Sequence, residues 1–351
     1  MPPICISSHE VNMDTLWYTR CPVPTPVGLA AQLGLLDRAF AAKGVELASI
    51  IDSKDRNIRQ SHFNHTLKWS FRLGGNVPPI RARSEGRDTR LIGVTWTDEY
   101  QAIIALPESG IRSASDLEGR RLGVPKQPEG DVFVVDFWRA SALKAFESAL
   151  TIAGLARSEV KFVDIAFSES VLDSHEADRF GLARRIPYGA EIAALFRGEV
   201  DAIFVKGASG IAAANLIAAQ EVVSFGFHDD PAIRINSGTP RLLTVDAALL
   251  DERPDLAATL IGTIRQAGEW AAAHPDDTAR FAARETGVSE EQIHVAHGPR
   301  FAQSFGLSLE PEALAAVESY KNFLLAEGFL AADFSIADWV DRRAWDQALA
   351  A

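Results

Sequence analysis

Apolar positions recur along this chain with two different spacings, and the alternation between them predicts the fold. A short apolar run at 15–18 reads as a strand, followed by the polar loop Thr19-Arg20-Cys21-Pro22-Val23-Pro24. Thr25 then suits a helix N-cap and Pro26 a first helical position, while Leu29, Leu33, Leu36 and Phe40 share one helical face. Gly44 stops that pattern, and strands are predicted at 45–51, 90–96 and 102–106. A polar turn from Ser113 leads to a strand at 121–124 and is expected to carry the chain into a second lobe. Beyond it follow a helix over 138–153, strands at 160–165, 200–205 and 222–227, and a return strand at 241–249. Long helices are predicted over 254–274 and 311–327, with Leu256, Leu260 and Ile264 on a common face. Strands that alternate with helices imply an α/β class with mixed, mostly parallel sheets flanked by helices. Lobe I is expected to comprise residues 1–122 and 240–351, and lobe II residues 123–239.

The bulk composition narrows the field of functions. A chain of 351 residues fits two domains, and 47% apolar with 23% charged residues is ordinary for a packed core. A formal charge of −12 without any Lys/Arg block argues against nucleic-acid binding. The first residues have neither a basic region nor an apolar stretch ahead of a small-residue cleavage site, so no secretory signal is expected. Apolar runs stop near ten residues, short of the ~20 needed to cross a bilayer. With only Cys5 and Cys21, a disulfide framework is not indicated. A cytoplasmic monomer acting on a small molecule, away from membranes, is the expectation.

Two sets of motifs carry a resemblance. Residues Ile111 to Val124, with Asp116-Leu117-x-Gly119-Arg120-Arg121-Leu122-Gly123-Val124, and the phrase Phe196-Arg197-Gly198-Glu199-Val200-Asp201-Ala202 resemble the substrate-binding proteins for nitrate, taurine and aliphatic sulfonates. That likeness implies a two-lobed, periplasmic-binding-protein type II fold over nearly the whole chain, and it is silent on chemistry. The first eighty residues are similar to a narrower family, the 2′-hydroxybiphenyl-2-sulfinate desulfinases. Thr15-Leu16-x-Tyr18, Cys21-Pro22-Val23-Pro24, His62-Phe63 and Arg72-x-Gly74-Gly75-x-x-Pro78-Pro79 carry this second likeness. It implies a catalytic cysteine at Cys21, with His62 and Arg72 completing the active site.

The same residues can be read as chemistry. A cysteine ahead of a helix start, near an imidazole or guanidinium, is in a setting that favours the thiolate. Removing a sulfinate from an arene uses such a group in one of two ways. Either Cys21 attacks sulfur as a nucleophile with His62 tuning its ionisation, or it delivers a proton to the ring carbon and His62 reprotonates it. Arg72 suits a forked hold on the anionic oxygens, and backbone amides at Gly74 and Gly75 suit developing charge. Trp69 and Trp138 are candidate substrate-binding aromatics; Trp69 and Phe71 could together wall an aryl substrate, with one of the two expected in the core. Neither route requires a metal or an organic cofactor, and His62 with His65 lacks the further ligands of a metal site. Lys206, at a strand end facing the cleft, reads as a surface lysine, and Glu291, His294 and His297 as a solvated helix and loop. Cys5 has no such context and is taken as structural. The alternative to a sulfinate C–S hydrolase is a non-catalytic binding protein for a sulfonate or related organic anion.

Overall fold

The computed structural model describes residues 14–21, 23–127, 135–166 and 187–350, so Cys5 and the N-terminal segment around it lie outside the described residues. Two five-stranded sheets form the frame. In chain order the strands are β1 Asp14–Arg20, β2 Val45–Ser49, β3 Ser70–Gly74, β4 Thr89–Thr95, β5 Gln101–Ala105, β6 Arg121–Lys126, β7 Lys161–Ala166, β8 Ala202–Lys206, β9 Gln220–Ser224 and β10 Arg241–Asp246. The first sheet has the order β2-β1-β3-β10-β4 and the second β7-β6-β8-β5-β9. Within each sheet one strand breaks the parallel pattern. β10 runs antiparallel to β3 and β4, and β5 runs antiparallel to β8 and β9. Both are the strands that enter their sheet from the other lobe, so the chain passes across twice, between Thr95 and Gln101 and between Ser224 and Arg241.

One expectation is corrected here. The strand near 102–106 was assigned to the first lobe, with the passage close to 122, but β5 sits in the second sheet. All five of its residues are buried, and a run covered on both faces fits the middle of either sheet equally well. The return strand is shorter than expected, ending at Asp246 before a helix at Ala247–Glu252. β3 was not predicted. It is preceded by a helix, Arg56–Asn64, whose N-cap Asp55 accepts from Asn57 N at 2.8 Å. It is followed by a helix, Val77–Ser84, which takes Pro78 and Pro79 into its first turn, where a missing N–H leaves no bond unmade.

One apolar core lies under the first sheet, where Leu16, Phe40, Phe71, Leu73 and Leu243 meet Leu256, Leu260 and Ile264 of the helix Pro254–Ala273. A second crosses the joint. Leu91, Val94 and Leu242 of the first sheet pack in it with Ile103, Leu122 and Phe204 of the second, together with Val317, Tyr320 and Leu324 of the helix Pro311–Ala326. Among the described residues no helix is long and apolar enough to cross a membrane.

The joint also carries a buried polar knot. Asn236, 1% exposed, donates from Nδ2 to Gln101 Oε1 at 2.9 Å and Ser141 O at 3.2 Å. Its Oδ1 accepts from Ser141 Oγ at 3.1 Å, and its carbonyl accepts from Asn76 Nδ2 at 2.9 Å. One residue, by its side chain and its carbonyl, thereby ties β5, the helix Phe137–Ala153 and the residue after the Gly74-Gly75 pair. Asn236→Ala strands several of these groups without partners and is expected to lower unfolding free energy by about 1–3 kcal/mol. Urea denaturation checks this, and an unchanged midpoint contradicts it.

Candidate active site

The parallel register of β1 with β3 determines what surrounds Cys21. Thr19 pairs with Arg72 and Arg20 with Leu73, so the next residue, Cys21, comes level with Gly74. A Cβ at Gly74 would overlap the Cys21 Sγ and approach Arg72 Nη2 to 3.4 Å, so only glycine leaves the thiol its place. Arg72, 4% exposed, donates from Nη1 to Gly75 O at 2.7 Å, while its Nε has no hydrogen-bond partner. Burial pulls the Arg72 pKa down from its usual value, and the Cys21 sulfur opposes that shift. Cys21 itself is 6% exposed and free of any disulfide.

Gly75 opens the site toward the second lobe. The nearest atoms to a Cβ placed there are Gly238 N and Ser237 Oγ, both at 3.9 Å. These belong to a turn closed by Asn236 N donating to Thr239 O at 2.9 Å and Thr239 N to Asn236 O at 3.0 Å, with Gly238 at φ +89°. A positive φ at the third residue is what a type II turn needs. Lys206, at the end of β8, donates to Ser237 O and, at 3.0 Å, to Glu99 Oε1. The same lysine lines a narrow pocket in the second lobe with Trp138, Ser141, Tyr188 and Phe204. An aromatic-walled pocket therefore ends at a lysine one turn away from the glycines beside Cys21.

Charge in this region is dense and buried. Burial alone pushes the Glu99 carboxyl up, but Lys206, Arg241 and His297 outweigh it and hold it below the usual carboxylate range. Arg241, 1% exposed, is pulled down by burial, with Glu99 and then Cys21 opposing. Behind the thiol, Arg20 Nε donates to Glu285 Oε1 at 2.7 Å and Gln32 Nε2 to Glu285 Oε2 at 2.8 Å, pinning the end of β1 to the helix Pro275–Thr286.

The structure brings Cys21, Arg72, Gly74 and Gly75 together and sets Trp138 in the facing pocket. It differs from expectation in four respects. The helix starts at Pro26 as expected but is only seven residues long, ending before Leu36 and Phe40, and its Gly28 N is already bonded to Thr25 Oγ1 at 3.0 Å. Guanidinium groups rather than a helix dipole are therefore the positive charge near the sulfur. Trp69 lies at the opposite end of β3 from Gly74, its Nε1 bonded to Glu252 Oε2 at 2.9 Å, so it is not a site residue; Phe71 is core, stacked between Tyr18 and Phe40. His297 is not solvated but 6% exposed, and donates from Nδ1 to the Asp98 carbonyl at 3.0 Å. Lys206 is no ordinary surface lysine, given its two buried partners.

His62 is half-buried in the last turn of the helix Arg56–Asn64, edge-on to Phe63 at 4.5 Å. The imidazole that feels Arg72 directly is that of His65, whose pKa is pushed down to about 3, first by burial and then by Arg72 and Arg87. It is neutral and supplies no charge. Glu99, Ser237 and Arg241 were missed. The available signal was a lone arginine opening an otherwise apolar strand, Arg241-Leu242-Leu243-Thr244-Val245. The tight Gly74 contact gives a test: Gly74→Ala should cost about 1–3 kcal/mol by overpacking, whereas Gly75→Ala should stay within about 0.5. Equal effects in chemical denaturation would contradict the geometry.

Comparison with known proteins agrees with this layout. Residues 39–178 match the NMT1/THI5-like family. The 2′-hydroxybiphenyl-2-sulfinate desulfinases of Rhodococcus erythropolis and Rhodococcus qingshengii are each 28% identical, over 93% of this chain and 91% of theirs. The crystal structure of a cysteine-to-serine mutant of DSZB in complex with biphenyl-2-sulfinic acid superposes with a TM-score of 0.71 at 25% identity, covering 96% of this chain and 99% of that one. The Escherichia coli aliphatic sulphonate binding protein SsuA shares the fold, with a TM-score of 0.63 at 15% identity over 93% of this chain and 91% of its own. By sequence and architecture together, the chain is similar over nearly its whole length to the 2′-hydroxybiphenyl-2-sulfinate desulfinases, and it shares the two-lobed fold of the sulfonate-binding proteins.

Proposed function

We propose that this protein is a desulfinase that hydrolyses the carbon–sulfur bond of an organic sulfinate, aryl by preference, and releases sulfite. The overall reaction joins R–SO2⁻ and water to give R–H and HSO3⁻. The observation that carries this reading is the buried Cys21 sulfur against Gly74, with a partnerless Arg72 donor beside it, in a chain 28% identical to desulfinases over 93% of its length. Arg72 grips the sulfinate, and the amides at Gly74 and Gly75 receive charge that develops on oxygen. The aryl group is directed toward Trp138, Tyr188 and Phe204, whose narrow pocket has to widen to admit a ring.

Both chemical routes balance. In the nucleophilic one, the thiolate bonds to sulfur as the C–S bond breaks, the ring carbon takes a proton, and Cys–S–SO2⁻ is left on the enzyme. Water then cleaves its S–S bond, returning the thiol and HSO3⁻. In the other, the Cys21 thiol protonates the ring carbon, SO2 leaves and is hydrated, and the proton so released returns to sulfur. His62 is assigned the proton transfers in either case. The enzyme is proposed to work as a monomer in the cytoplasm, needing neither metal nor organic cofactor.

The fold shared with sulfonate-binding proteins favours one other reading, a binder of organic sulfonates without turnover. A panel of aryl and alkyl sulfinates, assayed for sulfite, separates the two. Cys21→Ser should lower sulfite release from the best substrate at least about a thousandfold while leaving its binding largely intact. Turnover retained by that variant would overturn the assignment of Cys21.

A further inference from the structure

Arg241 has no part in the chemistry just described, yet its placement demands a reason. It opens β10, pairs with Thr95 of β4, and precedes Leu242, which pairs with Gly74. It is 1% exposed, and among the described residues neither its Nε nor its Nη1 has a hydrogen-bond partner. A buried guanidinium with idle donors is costly unless something else fills that role. The nearby carboxylate does not do so directly, because Glu99 is hydrogen-bonded to Lys206 and acts on Arg241 only through space. The other group that acts on it through space is the Cys21 sulfur.

The charges at the site point the same way. Arg72, Arg241 and Lys206 are cationic and Glu99 anionic, while burial keeps His297 down from its usual pKa and His65 neutral. Asp98 is matched separately by Arg234, and Glu285 by Arg20. Among the described residues, two positive charges then stay uncompensated around Cys21. A thiolate and one monoanionic ligand neutralise them, and Arg72 Nε and Arg241 Nε and Nη1 are the idle donors such a ligand would use.

Resting on the desulfinase reading, we propose that Arg241 is the second guanidinium of the Cys21 site, holding the sulfinate together with Arg72 and retaining the sulfite until it leaves. Arg72 alone is hampered in that task, since its Nη1 is tied to Gly75 O. Glu99, with Lys206, keeps the Arg241 charge tolerable when the site is empty.

The test is calorimetric and needs no turnover. In the Cys21→Ser protein, benzenesulfinate and its neutral counterpart methyl phenyl sulfone are titrated with and without Arg241→Met. Benzenesulfinate affinity is expected to fall at least about tenfold, while that of the sulfone stays within about twofold, because only the anion uses the charge. Arg241→Lys, which keeps the charge and loses the fork, should give an intermediate loss, and it answers the question if the methionine variant does not fold. Benzenesulfinate affinity unchanged within about twofold, or an equal loss for both ligands, overturns the proposal. Sulfite release by the unmodified protein is read separately. No release with Arg241-dependent anion binding ends the enzyme reading and supports the two-arginine cradle; release with Arg241-independent affinity does the reverse.

Discussion

A buried guanidinium with only part of its hydrogen bonding satisfied is the constraint around which this molecule is arranged. Arg72 is 4% exposed, bonded to one carbonyl, and set beside a thiol. Placing that charge in the interior is unfavourable by several kcal/mol unless an anion or a dense set of dipoles answers it. The strand register supplies the geometry, bringing Cys21 and Arg72 to the same edge of Gly74. The missing Cβ at Gly74 then sets how closely sulfur and guanidinium approach. The site is thus prepared for negative charge before any ligand enters, which is the condition under which electrostatic stabilisation is most effective.

The second lobe completes this arrangement rather than duplicating it. Lys206 reaches from β8 to the turn at Ser237 and to Glu99, while Asn236 binds β5, the helix Phe137–Ala153 and Asn76 in one polar cluster. An aliphatic sulphonate binding protein shares this frame. Turning binding into reaction needs little more than a nucleophile or acid at the bound atom. In the proposed function, a single residue just past the end of β1 is given that role.

Much of this was legible from residue order. The βα alternation, the two lobes and the helix capped by Thr25 follow from apolar spacing and turn chemistry, and the residues of the Cys21, Arg72 and Gly74-Gly75 motif lie together in the fold. What escaped has physical causes. β3 is only five residues long, Ser70–Gly74, and its central arginine masks the apolar pattern. β5 is apolar on both faces, so nothing in its composition says which sheet it joins. Trp69 was misplaced because its neighbours in sequence bracket the site, whereas a strand carries its two ends about 3.3 Å per residue apart. Arg241, Glu99 and Ser237 lie far from Cys21 along the chain, Arg241 and Ser237 at the antiparallel return of β10 and Glu99 in the passage from β4 to β5.

The most direct measurement is a crystal structure of the Cys21→Ser protein with an aryl sulfinate bound. The sulfinate sulfur should lie about 3–3.5 Å from the residue 21 side chain, its oxygens on Arg72 and the Gly74-Gly75 amides, and its ring against Trp138 and Phe204. A ligand seated elsewhere in the cleft, with its sulfur out of reach of residue 21, would contradict the role given to the thiol.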